Sequence, residues 1–146
     1  MGMVNITKKE VIYRKAIVSG KIYLKNETIK CLKEKNVKKG EPLQVAEVAG
    51  INACKQTQFL IPYCHQIPLD NVDFKFVIDN NSIEVTCKVE ARSKTGVEME
   101  ALIGTLIALG TLLDMVKYLE KDKKGQYPET RISDIRILKK EKYGSC

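Results

Sequence analysis

The chain has 146 residues, 44% of them hydrophobic and 29% charged, with 25 Lys and Arg against 18 Asp and Glu and a net charge of +7. That length and apolar content suit one domain, residues 1–146, with its own core, and exclude a disordered or low-complexity chain. No window reaches the roughly 18 uninterrupted apolar residues of a membrane span, and the start MGMVNITKKEV lacks the apolar stretch of an export signal, so the expected compartment is the cytoplasm.

The first element, VIYRKAIVSGKIYLK at 11–25, is rich in β-branched residues and reads as a strand broken near Gly20. NETIKCLKEKNV, 26–37, reads as a short helix with Asn26 as its cap. In EPLQVAEVAGINACKQTQFLI, 41–61, Pro42 suits a first helical turn and the small or apolar residues recur at helical spacing. The loop PYCHQIPLD, 62–70, is stiffened by two prolines. VDFKFVID and SIEVTCKVEAR then alternate around Asn80 and Asn81 as a hairpin, with Phe74 and Phe76 on one side and Asp73, Lys75 and Val77 on the other. TGVEMEALIGTLIALGTLLDMVKYLEKDK, 95–123, is a long helix, and ISDIRILKK, 132–140, a last strand. The order βααββαβ predicts an α+β ferredoxin-like sandwich: an antiparallel four-stranded sheet with helices on one face. The other face must be polar or be covered by another copy of the chain.

Charge is spread unevenly. Residues 1–40 hold eleven basic and three acidic side chains, residues 41–116 five and ten, and residues 117–146 nine and five. Basic ends around an acidic middle predict attraction to a polyanion, either a nucleic acid or a small phosphorylated ligand. Sparse aromatics and the lack of an RNA-recognition block weigh against nucleic acid, and lysine-rich surfaces also simply keep a protein soluble. Five cysteines at 31, 54, 64, 87 and 146, without a CxxC pair, read as free thiols rather than a disulfide framework or a zinc site.

Several residues carry possible chemistry. Thr95 and Glu98 have capping-box spacing, so Glu98 has a structural role open to it as well as a functional one. The same helix start, with Lys94 and Gly96, is a natural seat for phosphate. In the loop, His65 is the only histidine; it serves either as a hydrogen-bonded structural residue or as a positioned functional one, and Cys64 beside it suits binding better than thiol catalysis. Lys38 and Lys39 before Gly40 form a second cationic corner. With Asp114 as the origin at 100° per residue, Lys117 lies about 60° to one side, Ile107 and Gly110 nearly in line, and Glu100 about 40° to the other. Asp114 and Lys117 are then either a solvated ion pair or a pair tuned for proton transfer in a pocket. Glu100 and Asp114 are separated by roughly 21 Å of helix, so they grip opposite ends of a long ligand, serve different sites, or meet counterparts across an interface.

LIPYCHQIPL at 60–69, KTGVEMEAL at 94–102 and DMVK at 114–117, in this order, resemble the cyclic pyranopterin monophosphate synthase family of molybdenum-cofactor biosynthesis, and the resemblance runs from about Met3 to Lys140. It implies a ferredoxin-like fold and a homohexamer, a trimer of dimers, with active sites at subunit interfaces. The implied substrate is the 3′,8-cyclised dihydro form of GTP, and the products are a pterin with a cyclic phosphate and pyrophosphate. By position the resemblance makes Asp114, Lys117 and Lys39 catalytic, with Lys39 reaching in from a neighbouring subunit. It makes Tyr63, Cys64, His65, Glu98, Met99, Glu100, Arg14 and Lys140 substrate-binding. Tyr63 stands where the family usually has leucine, Gln66 where it has proline and Asn5 where aspartate is common, and the end EKYGSC lacks a Gly-Lys-rich tail. No protein-bound metal or other cofactor is expected, although Mg2+ can enter with the substrate's phosphates.

Overall fold

A computed structural model describes residues 1–144; Cys146 lies outside the described residues. The elements are β1 (Ile12–Tyr23), α1 (Asn26–Lys33), α2 (Pro42–Leu60), β2 (Asn71–Ile78), β3 (Ser82–Ser93), α3 (Glu98–Glu120) and β4 (Arg131–Tyr143). The strands form one antiparallel sheet in the order β2-β3-β1-β4. Strand β3 lies between β1 and β2, which is the split βαβ arrangement of the expected ferredoxin-like sandwich.

Alternation decides which face of the sheet is covered. Ala16 and Val18 of β1 and Val85, Cys87 and Val89 of β3 point toward the helices and are fully buried. Phe74 and Phe76 of β2 pack beside them, whereas Asp73, Lys75 and Val77 are exposed. The opposite face is polar and laced with charge: Lys88 meets Asp73 at 3.1 Å and Glu90 at 3.2 Å, and Lys15 meets Glu141 at 3.1 Å. Strand β1 runs unbroken through Gly20. The irregularity falls in its pairing with β4, where the register shifts between Ser19 and Lys21 and Asp134 takes a φ of 59°. A Cβ on Gly20 would sit 2.3 Å from Cδ1 of Ile135 and 2.8 Å from Cδ1 of Leu109, so any larger residue there would have to displace both side chains.

Helix α3 is the axis of the domain. Ala101, Thr105, Ala108, Leu109, Leu112 and Val116 are fully buried. It is long and apolar enough by composition to cross a membrane, but half of that window is buried inside the domain. It meets α2 closely at Gly104, where a Cβ would lie 2.3 Å from Sγ of Cys54 and 3.2 Å from the Gly50 carbonyl oxygen. Its last residue, Glu120, is fully buried. The carboxylate accepts the Lys25 amide at 3.1 and 3.2 Å, the Thr28 hydroxyl, and the Thr130 hydroxyl at 2.7 Å. Asn26 therefore does not cap α1. The donors at that helix start are satisfied by a glutamate from the end of α3.

Candidate active site

The reactive side chains gather in two clusters at opposite ends of α3. The first surrounds a cavity of about 290 Å³ between the first turn of α3, the loop after α2 and the N-terminal segment. Tyr63, Cys64, His65, Glu98, Met99 and Glu100 all line it. The loop is anchored where it leaves α2 by the Cys64 amide, which donates to the Ile61 carbonyl at 3.1 Å. Nε2 of His65 lies 2.8 Å from the Val4 carbonyl oxygen and donates to it, so the histidine ties the N-terminal segment over the cavity.

The two glutamates of that first turn differ in protonation. Glu100 is only 4% exposed. Burial, with help from the charge of Glu98, pushes its carboxyl up to about 7 against the pull of its own amide. Burial also acts to raise Glu98, but the Lys140 ammonium at 2.8 Å, its own amide and Arg14 outweigh it and hold the carboxyl below its ordinary value. The Cys64 thiol is raised, first by burial and then by Glu100, which favours the neutral thiol and removes the activation a nucleophile needs.

One expectation changes here. Thr95 makes no capping bond to α3, whose cap position is Val97; Glu98 turns instead to Lys140 on β4. The Glu98 carboxylate lies over Gly96, within 2.2 Å of where a Cβ would be. Two carboxyl groups, Glu98 and Glu100, thus stand at the helix start, where acceptors compete with a phosphate for the free amides. Arg14 is buried and bonds the carbonyls of Ser93 at 3.3 Å and Lys94 at 3.2 Å, which braces the end of β3 beside Glu98.

The second cluster lies about four to five turns further along α3. The Asp114 carboxylate sits between Lys117 Nζ at 3.3 Å and Lys39 Nζ at 3.4 Å. Lys39 also donates to the Asp114 carbonyl at 2.7 Å. Lys117 first, and Lys39 second, hold the Asp114 carboxyl below its ordinary value. Lys39 thus meets Asp114 within one chain. The Asp114 and Lys117 side chains are 61% and 50% exposed, so the chain alone leaves the pair on its surface. Ile107, Gly110, Asp114 and Lys117 form one exposed stripe, as the helical spacing predicts. Glu100 starts the same stripe and is covered by the loop and the N-terminal segment.

Sequence reasoning missed the cavity wall built by Val4, Ile6 and Lys9. One signal was available: in Asn5-Ile6-Thr7 the Asn5 side chain accepts the Thr7 amide at 2.9 Å, a turn readable from Asn-x-Thr. Among the described residues, no three of His, Cys, Asp and Glu gather as metal ligands.

Fold and clusters together define an α+β sandwich whose acid and base groups are strung along a single buried helix. The model of the MoaC family matches residues 3–143. Similar proteins include "Probable cyclic pyranopterin monophosphate synthase" of Pyrococcus abyssi, 54% identical over 96% of this chain and 88% of the relative. The proteins of the same printed name from Saccharolobus solfataricus and Thermoplasma volcanium are 51% and 47% identical, each over 96% of this chain and over 94% and 93% of the relative. The chain belongs to the MoaC family and is an enzyme of it.

Proposed function

We propose that the chain is a cyclic pyranopterin monophosphate synthase. It converts (8S)-3′,8-cyclo-7,8-dihydroguanosine 5′-triphosphate to cyclic pyranopterin monophosphate and pyrophosphate, in the cytoplasm. The printed names of relatives at about half identity support the reaction. The observation that carries the chemistry is Asp114 held between two lysines at 3.3 and 3.4 Å.

The reaction opens a purine ring, rebuilds it as a pterin and closes a cyclic phosphate, so each stage moves protons. Asp114 stays ionised between its lysines and serves as base and orienting group; Lys117 and Lys39 supply protons and positive charge as pyrophosphate departs. At the cavity, Glu98 and Glu100 accept ring N–H donors, and Glu100, near half ionisation at neutral pH, both gives and takes a proton. Magnesium, where it takes part, enters with the substrate's phosphates.

The two clusters serve one substrate only if two copies of the chain share it. Glu98 and Asp114 are sixteen residues apart, or roughly 24 Å along the helix axis. The outer surfaces of α2 and α3 expose Val45, Val48, Phe59, Leu106 and Ile107, an apolar area suited to self-association, here as a trimer of dimers. The test is to incubate the protein with the cyclised GTP intermediate and follow pterin formation. Wild-type protein forms pterin, and Asp114→Asn loses at least about 100-fold in turnover while its unfolding midpoint stays in place. No pterin from wild type removes the reaction, and normal pterin formation by the variant removes Asp114 from it.

A further inference from the structure

Lys39 sits in a loop with little of its own to hold it. After α1 the chain reverses through Lys35, at a φ of 56°, and the amides of Lys35 and Asn36 close onto the carbonyls of Leu32 and Cys31. Gly40, at a φ of 114°, ends the loop with its amide on the Val37 carbonyl. Of residues 34–41 only Val37 is buried. A lysine on such a segment would sample many positions unless something fastened the backbone beside it.

Tyr118 does that. Its hydroxyl accepts the Lys38 amide at 2.8 Å, and the Lys38 ammonium lies 5.9 Å from its ring centroid. The ring packs against the core, so the hydroxyl is held rather than free to swing. Tyr118 follows Asp114 by one helical turn and shares its side of α3. Lys38 is therefore fixed at the backbone one residue before Lys39, whose ammonium then lies on the carbonyl and carboxylate of Asp114.

We propose that Tyr118 is a positioning residue: its hydroxyl and ring clamp the 34–41 loop to α3 and so set Lys39 on Asp114. Any effect on turnover rests on the proposed role of Lys39, whereas the clamp itself does not.

The experiment uses the full chain with Tyr118→Phe, which keeps the packed ring and removes the acceptor. Losing one such bond lowers the docking equilibrium of the loop by about two- to tenfold. The Lys38 amide then exchanges its hydrogen faster. The carboxyl titration of Asp114, followed by NMR, moves part of the way toward the midpoint seen in Lys39→Met. The kcat falls by a similar factor while KM holds. Tyr118→Leu, which loses the ring as well, shows larger changes in all three. Wild-type exchange at Lys38 together with an unmoved Asp114 midpoint in Tyr118→Phe overturns the proposal. So does a lower kcat without any shift of that midpoint, because Tyr118 would then act by another route. If Lys39→Met keeps full turnover, the catalytic reading of Lys39 falls, and exchange and titration still decide the clamp.

Discussion

Replacing Glu100 with glutamine tests whether the cavity holds a carboxyl in its neutral form. The native carboxyl titrates near 7, above the 4.5 ordinary for glutamate, because it is buried. The folded state therefore binds a proton more tightly than the unfolded state, and stability falls as pH rises through the window from 4.5 to about 7. At about 1.36 kcal/mol per pH unit, the loss above that window is of the order of 3 kcal/mol. Glutamine has the same shape and no charge to lose. Its stability relative to wild type should improve by about 3 kcal/mol between pH 4 and pH 8, with no further gain at higher pH. Denaturant unfolding at several pH values, with both proteins at one protomer concentration, reads this difference. Glu98 also titrates, in the opposite sense; it is present in both proteins, and its charge beside Glu100 is part of what raises the native carboxyl. Parallel stability curves from pH 4 to pH 8 would refute the burial of Glu100 as a neutral acid.

Two other outcomes are expected. In mixed oligomers confirmed by native mass spectrometry, a His65→Ala chain and an Asp114→Ala chain, each inactive alone, should restore part of the turnover, because some interfaces carry both intact clusters. Lys39→Ala mixed with Asp114→Ala should restore none, because those residues meet within one chain; rescue there, or none in the first mixture, contradicts the proposed sharing. Separately, Glu120→Ala leaves the Lys25 amide and the Thr28 and Thr130 hydroxyls without their acceptor. At roughly 1 kcal/mol for each lost partner the variant should be less stable by about 3 kcal/mol in denaturant unfolding, and a change within error would mean that these donors find other acceptors.

The elements were legible from different signals: alternation in the hairpin, and for α3 a proline-free stretch that is too long for a strand. Strand β4 extends to Tyr143, three residues past its expected end, because its pairing to β1 continues there and is joined by the Lys15–Glu141 ion pair and the stacked rings of Tyr13 and Tyr143. The loop residues Tyr63, Cys64 and His65 and the glutamates of α3 were identified by their family motif and converge on one cavity. What was not legible came from distant partners. The spacing of Thr95 and Glu98 satisfies a local rule, yet Lys140, forty-two residues away, takes the carboxylate. Glu120 looks like a solvated charge at a helix end until Lys25, Thr28 and Thr130 fold around it. The family resemblance makes Arg14 substrate-binding, and only strand register shows it against the carbonyls at the end of β3.

If the two clusters serve one substrate, the same rigidity that makes α3 a good core helix prevents one chain from closing that site. Its 23 residues span roughly 34 Å, and a helix pinned to the sheet along that length cannot bend its first turn toward its last. Pairing two copies with their α3 helices antiparallel would solve this by symmetry, since each first turn then meets the other chain's last turns and two equal sites form at once. The exposed stripe between the clusters fits that crossing. Leu106 and Ile107 offer apolar surface, and a Cβ on Gly110 would have nothing within 4 Å, so another backbone has room to approach there. Assembly would also change the electrostatics. In water the attraction between Asp114 and its lysines is weak and screened; beneath a second chain the same three charges interact in a lower dielectric, and a proton moving among them responds to the ligand instead of to solvent. Under the proposed pairing, the exposed pair of the single chain would become a working acid–base group by being covered, which would tie activity to assembly through one surface.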